Sequence, residues 1–176
     1  MKPLSAAARE YIDIAHVCRI ATVRPGGEPH VIPVCPAFDG VATVYVDLDP
    51  TSASGVAIKH ETRVAVLFDD YFDDWTKLRK VLLKCRAEEV TGPEKDVAWD
   101  RIRSKYPQYT TVDWKPRATM ALRIYDWLQE GIESPRTDEV RLRVTRRSSQ
   151  PSQGTAAARR SAVMWPRCRS SDAARP

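Results

Sequence analysis

The stretch Arg19-Ile-Ala-Thr-Val-Arg-Pro-Gly-Gly-Glu-Pro-His-Val-Ile-Pro-Val34 decides how this chain is read. It predicts two β-strands around a Pro25-Gly26-Gly27 turn. Ile20 and Thr22 alternate with Ala21 and Val23, and Val31 and Pro33 alternate with Ile32 and Val34, the two-residue period of a strand. Pro29 and Pro33 bring no backbone N–H to a ladder. A strand that carries them lies at a sheet edge, at a bulge, or beside something other than a strand. An ordinary edge strand and a wall for a bound ligand both satisfy that condition.

Working outward, the rest of the first 133 residues falls into short elements. Ser5 to His16 predicts an amphipathic helix with Tyr11, Ile12 and Ala15 turned inward and Ile14 a further candidate. Strands are expected at about 18–24, 29–38, 41–48, 63–69 and 78–91, with Asp39-Gly40 as a hairpin turn. Pro93, followed by Glu94 and Asp96, opens a helix reaching Tyr106, with Ala98, Ile102 and Tyr106 as its apolar stripe. A last strand, Ala118 to Trp127, completes six. Six strands with one terminal and one crossover helix predict a mainly β fold, a small barrel with helices at its ends.

The chain has 176 residues, enough for one domain with a real core. No apolar run approaches the roughly 18 residues of a spanning helix. The N-terminus lacks the apolar segment and cleavage site of a secretory signal. Cys18, Cys35, Cys85 and Cys168 lie far apart, with neither zinc spacing nor a disulfide framework, so a reduced, cytoplasmic protein is expected. The net charge of +5 is unevenly placed. Residues 1–135 hold 18 basic and 20 acidic groups, whereas residues 136–176 hold 10 basic and 3 acidic. The body is therefore no basic nucleic-acid binder, and nucleic acid is not an expected partner. Residues 134–176, rich in Arg, Ser, Ala and Pro, predict a disordered tail distinct from the domain at 1–133. A phosphate-neutralising arm, a passive solvated tail, and an out-of-frame reading of a GC-rich gene each fit that composition.

Three constellations could carry chemistry. The second strand offers His30, a side chain able to donate to or accept from a substrate near neutral pH, and the main chain around Pro33, Val34 and Cys35, which could grip a planar heterocycle. Thr51-Ser-Ala-Ser-Gly55 precedes a helical stretch ending near Lys59, an arrangement of hydroxyls and N–H groups suited to phosphate, although Ser and Thr clusters also serve as caps. Phe68-Asp-Asp-Tyr-Phe-Asp-Asp-Trp75 predicts a solvated acidic hairpin rather than a metal site. Trp75 and Arg79 beside it could stack on a ring and pair with an anion. There is no Gly-x-Ser-x-Gly, P-loop, His-Glu-x-x-His or Gly-x-Gly-x-x-Gly. Any chemistry would come from a bound organic cofactor.

The ordered segments Arg19-Ile-Ala-Thr-Val, Gly27-Glu-Pro-His-Val-Ile-Pro-Val, Asp39-Gly, Arg63-Val-Ala-Val-Leu-Phe-Asp-Asp-Tyr and Cys85-Arg-Ala-Glu-Glu-Val resemble the pyridoxamine 5′-phosphate oxidase-like, FMN-binding split-barrel superfamily. Asp73-Asp-Trp75, Lys105-Tyr-Pro-Gln-Tyr109 and Trp127 resemble its deazaflavin-dependent oxidoreductase branch. The resemblance covers about residues 8–132. It implies a six-stranded split-barrel homodimer with FMN or the deazaflavin coenzyme F-420 at the subunit interface, moving hydride to or from a small molecule. It places His30, Ile32, Pro33, Val34 and Cys35 along the ring, and Ser52 and Ser54 at the phosphate, with Lys59 on the next helix. Relatives carry Arg and Lys where this chain has Ser52-Ala-Ser54. Losing such a charged contact costs about 1.5–3 kcal/mol. A non-catalytic carrier of flavin, coenzyme or heme on the same fold is the alternative. His30, Tyr71 and Tyr109 are the candidate proton donors, none of them assigned.

Overall fold

The computed structural model describes residues 2–112 and 115–132; the predicted tail at 134–176 lies outside them. Helix α1 (Ala6–Ile14) begins where Ser5 caps it, its hydroxyl accepting from the Ala8 N–H. Tyr11 and Ile12 are buried as the pattern predicts and Ala15 is partly buried, but Ile14 is 60% exposed. One side of a helix this short cannot hold Tyr11, Ile12 and Ile14 together, because Ile14 sits about 200° around the axis from Ile12.

Among the described residues seven strands follow rather than six: β1 (Cys18–Val23), β2 (Pro29–Val34), β3 (Ala37–Phe38), β4 (Thr43–Leu48), β5 (Arg63–Asp70), β6 (Arg79–Glu89) and β7 (Ala118–Glu130). The single strand expected at 29–38 divides at Cys35-Pro36. Pro36 cannot donate to a ladder, and the chain changes partners there: β2 pairs with β1, whereas β3 pairs with β4. The antiparallel sheet runs β2-β1-β5-β6-β7-β4-β3. Its two outermost strands are thus consecutive, joined by two residues. Three peptide units span at most about 11 Å, so the sheet must curl until its edges meet. That is a split barrel.

The β3–β4 connection is the predicted Asp39-Gly40 hairpin. Gly40 adopts φ +87°, the left-handed region. The Asp39 carboxylate accepts from the N–H groups of Val41 (2.7 Å), Ala42 (2.8 Å) and Thr43 (2.9 Å). Burial pushes this carboxyl up, but the N–H donors of Thr43, Val41 and Ala42 outweigh it and hold it below the usual aspartate range. A depressed carboxyl stabilises the fold above the unfolded-state pKa and loses that contribution as pH falls through the folded one. Asp39→Ala is expected to cost about 1–2 kcal/mol at neutral pH and to flatten the acid limb of the stability curve, as urea titrations between neutral and acid conditions would show.

Inside the barrel lie Ile12, Ile20, Val46, Val66, Phe68 and Leu83 with their neighbours. In β7, Tyr125 is an extra residue, since Lys84 faces Asp126 while Cys85 faces Ile124. This bulge resets the alternation so that Trp127, not Asp126, follows Ile124 inward. The Trp127 indole N–H donates to the Lys2 carbonyl (2.9 Å). Helix α3 (Gly92–Lys105) packs Ala98 and Ile102 against Ala37, Tyr45 and Ala121, on the opposite face of the β4–β7 region. The Tyr106 hydroxyl, next in the chain, lies 2.8 Å from the Pro36 carbonyl and 3.0 Å from that of His16, tying the strand break to the end of α1. The described residues also form α2 (Ala53–His60), a short 3-10 turn (Trp75–Lys77) and the single turn α4 (Gln108–Thr111).

Candidate functional site: a proline-flanked edge beside a helix start

β2 is an edge strand, as its prolines require. The Arg24 N–H donates to the Glu28 carbonyl (2.9 Å) and closes the hairpin. Hydrogen-bonded and non-hydrogen-bonded pairs alternate from there, so His30, Ile32 and Val34 exchange bonds with Thr22, Ile20 and Cys18. Pro29, Val31 and Pro33 fall at the alternate positions, with their backbone polar groups directed to the free edge. Two of those three residues have no N–H. The edge therefore presents three carbonyls and one donor, the Val31 N–H. A further β-strand needs a regular row of donors and would pair poorly here. A compact heterocycle needs only one or two contacts.

Side chains sort by the same parity. Val34 is buried, His30 and Ile32 are half-buried, and Pro29, Val31 and Pro33 are exposed. Cys35, past the end of the strand, is half-buried against the α3 cluster together with Trp99 and Tyr109. Burial pushes its thiol up, although Tyr109 opposes this.

Helix α2 packs on β1 and β2. Its start is internally satisfied. Ser52 Oγ donates to the Asp49 carbonyl (2.6 Å) and accepts from the Gly55 N–H (3.1 Å), while Thr51 Oγ1 donates to the Asp49 carboxylate (2.6 Å). Ser54 is 1% exposed, and its hydroxyl has no hydrogen-bond partner among the described residues. Ser52 thus acts as a cap, while Ser54 keeps an unsatisfied hydroxyl within the helix start.

The remaining predicted residues stand elsewhere in the chain. Lys59, in the last turn of α2, lines a pocket of about 250 Å³ that also takes in Pro50 and Gly55 of the helix start, with Leu48, Glu89 and Met120 opposite. Trp75, 73% exposed, opens a short 3-10 turn in the β5–β6 hairpin, two strands away from β2 in the sheet order. Arg79 pairs with Asp70 (2.7 Å), its guanidinium 5.4 Å from the Tyr11 ring and 5.8 Å from that of Phe72. Within one chain, then, His30, Ile32, Pro33 and Val34 share one strand, α2 with Ser52, Ser54 and Lys59 packs on that strand and on β1, Cys35 turns to the α3 cluster, and Trp75 and Arg79 lie at the β5–β6 hairpin. Among the described residues no group of three or more His, Cys, Asp and Glu side chains is placed to hold a metal ion. No described helix is long and apolar enough to cross a membrane.

Two features escaped the sequence reading. The rings of Trp99, Tyr106 and Tyr109 meet edge-on, with centroids 5.3 and 6.1 Å apart, beside Cys35. Burial, reinforced by Cys35 and Asp47, pushes the Tyr109 phenol up to about 12, so it is a neutral donor. Helical spacing of 99, 102 and 106 was the available signal. The second feature is a pair of short, adjacent apolar rows on the outer sheet face, one continued by Lys84 and the other begun beside Arg19. Val31 faces Ala21, Ala21 faces Ala65, and Leu67 faces Leu82, which faces Leu128. Val31 and Leu128 are 58% and 45% exposed. The ion pairs Arg19–Asp69, Lys80–Glu130 and Lys84–Asp126 lie along the same strands.

A family profile described as pyridoxamine 5′-phosphate oxidase matches residues 4–149. No curated protein matches the sequence. Among solved structures, the chain is similar to the heme-binding protein from Mycobacterium smegmatis, with TM-score 0.62 and 19% identity over 73% of this chain and 55% of that one. It therefore spans about half the length of that relative. It is also similar to a FAD-binding protein from Mesorhizobium loti (TM-score 0.59, 21% identity, 73% of this chain and 93% of that one). An F420 reductase is a third (TM-score 0.58, 17% identity, 71% and 98%). At these identities the structural likeness speaks to the fold alone. The match of the profile to most of the sequence establishes that the chain belongs to the pyridoxamine 5′-phosphate oxidase family.

Proposed function

We propose that this chain is a homodimeric oxidoreductase that holds FMN or coenzyme F-420 against the β2 edge and transfers hydride to or from a small-molecule substrate in the cytoplasm. The observation that carries this reading is the free edge between Pro29 and Pro33. It combines one N–H donor with several carbonyl acceptors, flanked by the half-buried His30 and Ile32. Such a mixed donor and acceptor edge suits the pyrimidine rim of an isoalloxazine-type ring. The ring, when bound, supplies the hydride chemistry. The chain supplies orientation through the Val31 main chain, apolar packing through Ile32, and a candidate proton donor in His30. The anionic tail of the cofactor fits less well, since Ser52 is spent as a cap and the guanidinium beside the helix start, Arg117, is engaged by the Asp49 carboxylate (2.5 Å). There the unpartnered Ser54 hydroxyl and the helix N–H groups are what remains.

The other wall of the pocket comes from a second copy in this reading. The adjacent apolar rows, one through Val31 and one through Leu67, Leu82 and Leu128, support a twofold contact, with the intrachain ion pairs along the same strands as its polar rim. Val31→Lys is expected to weaken self-association by about tenfold, because a lysine stem carries its charge to the rim at moderate cost. Analytical ultracentrifugation would measure it, and an unchanged dimer would remove this face from the proposal.

The capped loop supports a second reading, a non-catalytic carrier of heme, flavin or coenzyme. One titration separates the two. Purified protein is mixed with FMN, F-420 and heme in turn, followed by absorbance and fluorescence quenching. Micromolar binding of FMN or F-420 with reduction by a nicotinamide donor supports the enzyme. A Soret band without flavin binding supports the carrier, and failure of both ring cofactors to bind ends the oxidoreductase reading.

A further inference from the structure

A second site lies away from the β2 edge. A groove of about 600 Å³ runs between the end of α1, β3 and α3, lined by Asp13, Ala37, Phe38, Arg101, Ser104 and Lys105. At its end is an amine in an unusual position. Lys105 Nζ is buried and has no hydrogen-bond partner among the described residues. Lys77, Lys80 and Lys84, by contrast, each pair with a carboxylate. A buried ammonium with no hydrogen-bonded acceptor is costly, and the usual outcome is loss of its proton. The groups facing it are Asp13 from α1, Cys18 from β1, Cys35 after β2, and the Tyr106 ring 5.8 Å away. Burial holds the amine below the ordinary lysine range, with Asp13 and the two thiols opposing that shift.

Arg101 lies one helical turn before Lys105 and lines the same groove. Its sole hydrogen bond among the described residues is a long one to the Phe38 carbonyl (3.5 Å), whereas the nearby Arg103 is paired with Asp100. An available guanidinium and an amine with no acceptor thus share one cavity. We propose that Lys105 is a nucleophilic amine that condenses with a small aldehyde or 2-oxo acid bearing a carboxylate or phosphate, whose anionic group Arg101 holds.

In this step the Nζ lone pair attacks the carbonyl carbon, forming the C–N bond, and the carbonyl oxygen takes up a proton to give a carbinolamine. The hydroxyl then leaves as water, the nitrogen gives up its protons, and an imine remains. Nothing is oxidised or reduced. Asp13, in the same groove, is the base placed to receive a proton. Lys105 as a whole is half-buried, so a turn about its flexible stem brings Nζ from beneath the wall into the groove. The proposal does not depend on the cofactor reading.

The test uses the full chain with glyoxylate and cyanoborohydride near neutral pH, and peptide mass mapping to follow carboxymethylation at each lysine. Lys105 should react at least about fivefold faster than the exposed Lys59 and Lys115, with a rate that rises less than the roughly tenfold per pH unit of an ordinary ammonium. Arg101→Gln, at an exposed position, should slow glyoxylate labelling of Lys105 several-fold while leaving labelling by uncharged propionaldehyde unchanged. Lys105 reacting no faster than Lys59 and Lys115 would overturn the nucleophile. Equal effects of Arg101→Gln on both aldehydes would overturn the anion site.

Discussion

Phe68→Ala is expected to destabilise the fold by about 3–5 kcal/mol, the range for emptying a large buried aromatic site. Phe68 is fully buried on the inner face of β5, opposite Val81 and in line with Val64 and Val66. Among the described residues it is the largest of the side chains that solvent does not reach. The barrel wall around it cannot collapse into the void, because β5 is held on both flanks, by β1 and by β6. A domain of this size has about 5–15 kcal/mol of stability in all, so the variant should sit near the edge of folding at 37 °C. Phe68→Leu should lose less, about 1–2 kcal/mol, since most of the volume is restored. Urea denaturation with an unchanged slope would give both numbers. A Phe68→Ala loss below 1 kcal/mol would mean that the barrel interior is far more compliant than its packing implies.

That interior was largely legible from alternation. Ile20, Val64, Val66, Val81 and Leu83 sit on the inner face because their strands keep the two-residue period, and the prolines of β2 announced an edge. Two kinds of information were not legible. The first is any change of partner within a run: Ala37 and Phe38 continue the apolar pattern of 29–34, so nothing local separates β3 from β2 except Pro36, whose effect depends on which strand lies alongside. The second is whether a polar side chain is already occupied. Ser52 and Ser54 look alike in sequence, yet one is a cap with both bonds made and the other is buried with none. Arg79 reads as an anion ligand and is found on Asp70 and Tyr11. Lys105 enters the sequence reading only as part of the Lys105-Tyr-Pro-Gln-Tyr109 resemblance, and Arg101 not at all, for the converse reason. Their spacing is that of any solvated helix face, and the missing partners become visible once α1 and β3 are in place.

Gly55→Ala should be the most damaging small change near the candidate site. Alanine is ordinarily favoured over glycine inside a helix by about 1 kcal/mol. Here a Cβ would stand 2.3 Å from the Asp49 carbonyl oxygen and 2.8 Å from the Pro50 Cα and carbonyl carbon, all main-chain atoms. No side-chain rotation can relieve such contacts, so either the 49–52 loop or the start of α2 must shift. Overpacking of that kind costs about 1–3 kcal/mol or more, which exceeds the propensity gain. The displacement also breaks the Ser52 cap, because the hydroxyl receives its bond from the N–H of Gly55 itself, and a lost cap adds about 1 kcal/mol. The net expectation is a loss of about 2–3 kcal/mol, read by thermal unfolding. Val56→Ala, at the exposed neighbouring position, should stay within about 0.5 kcal/mol. If the helix start holds the anionic end of a cofactor, Gly55→Ala should lower its affinity by more than Ser52→Ala does. Shifting the backbone moves the N–H groups and the Ser54 hydroxyl together, whereas loss of the Ser52 side chain leaves them in place. Equal affinities in the two variants would place the anion elsewhere.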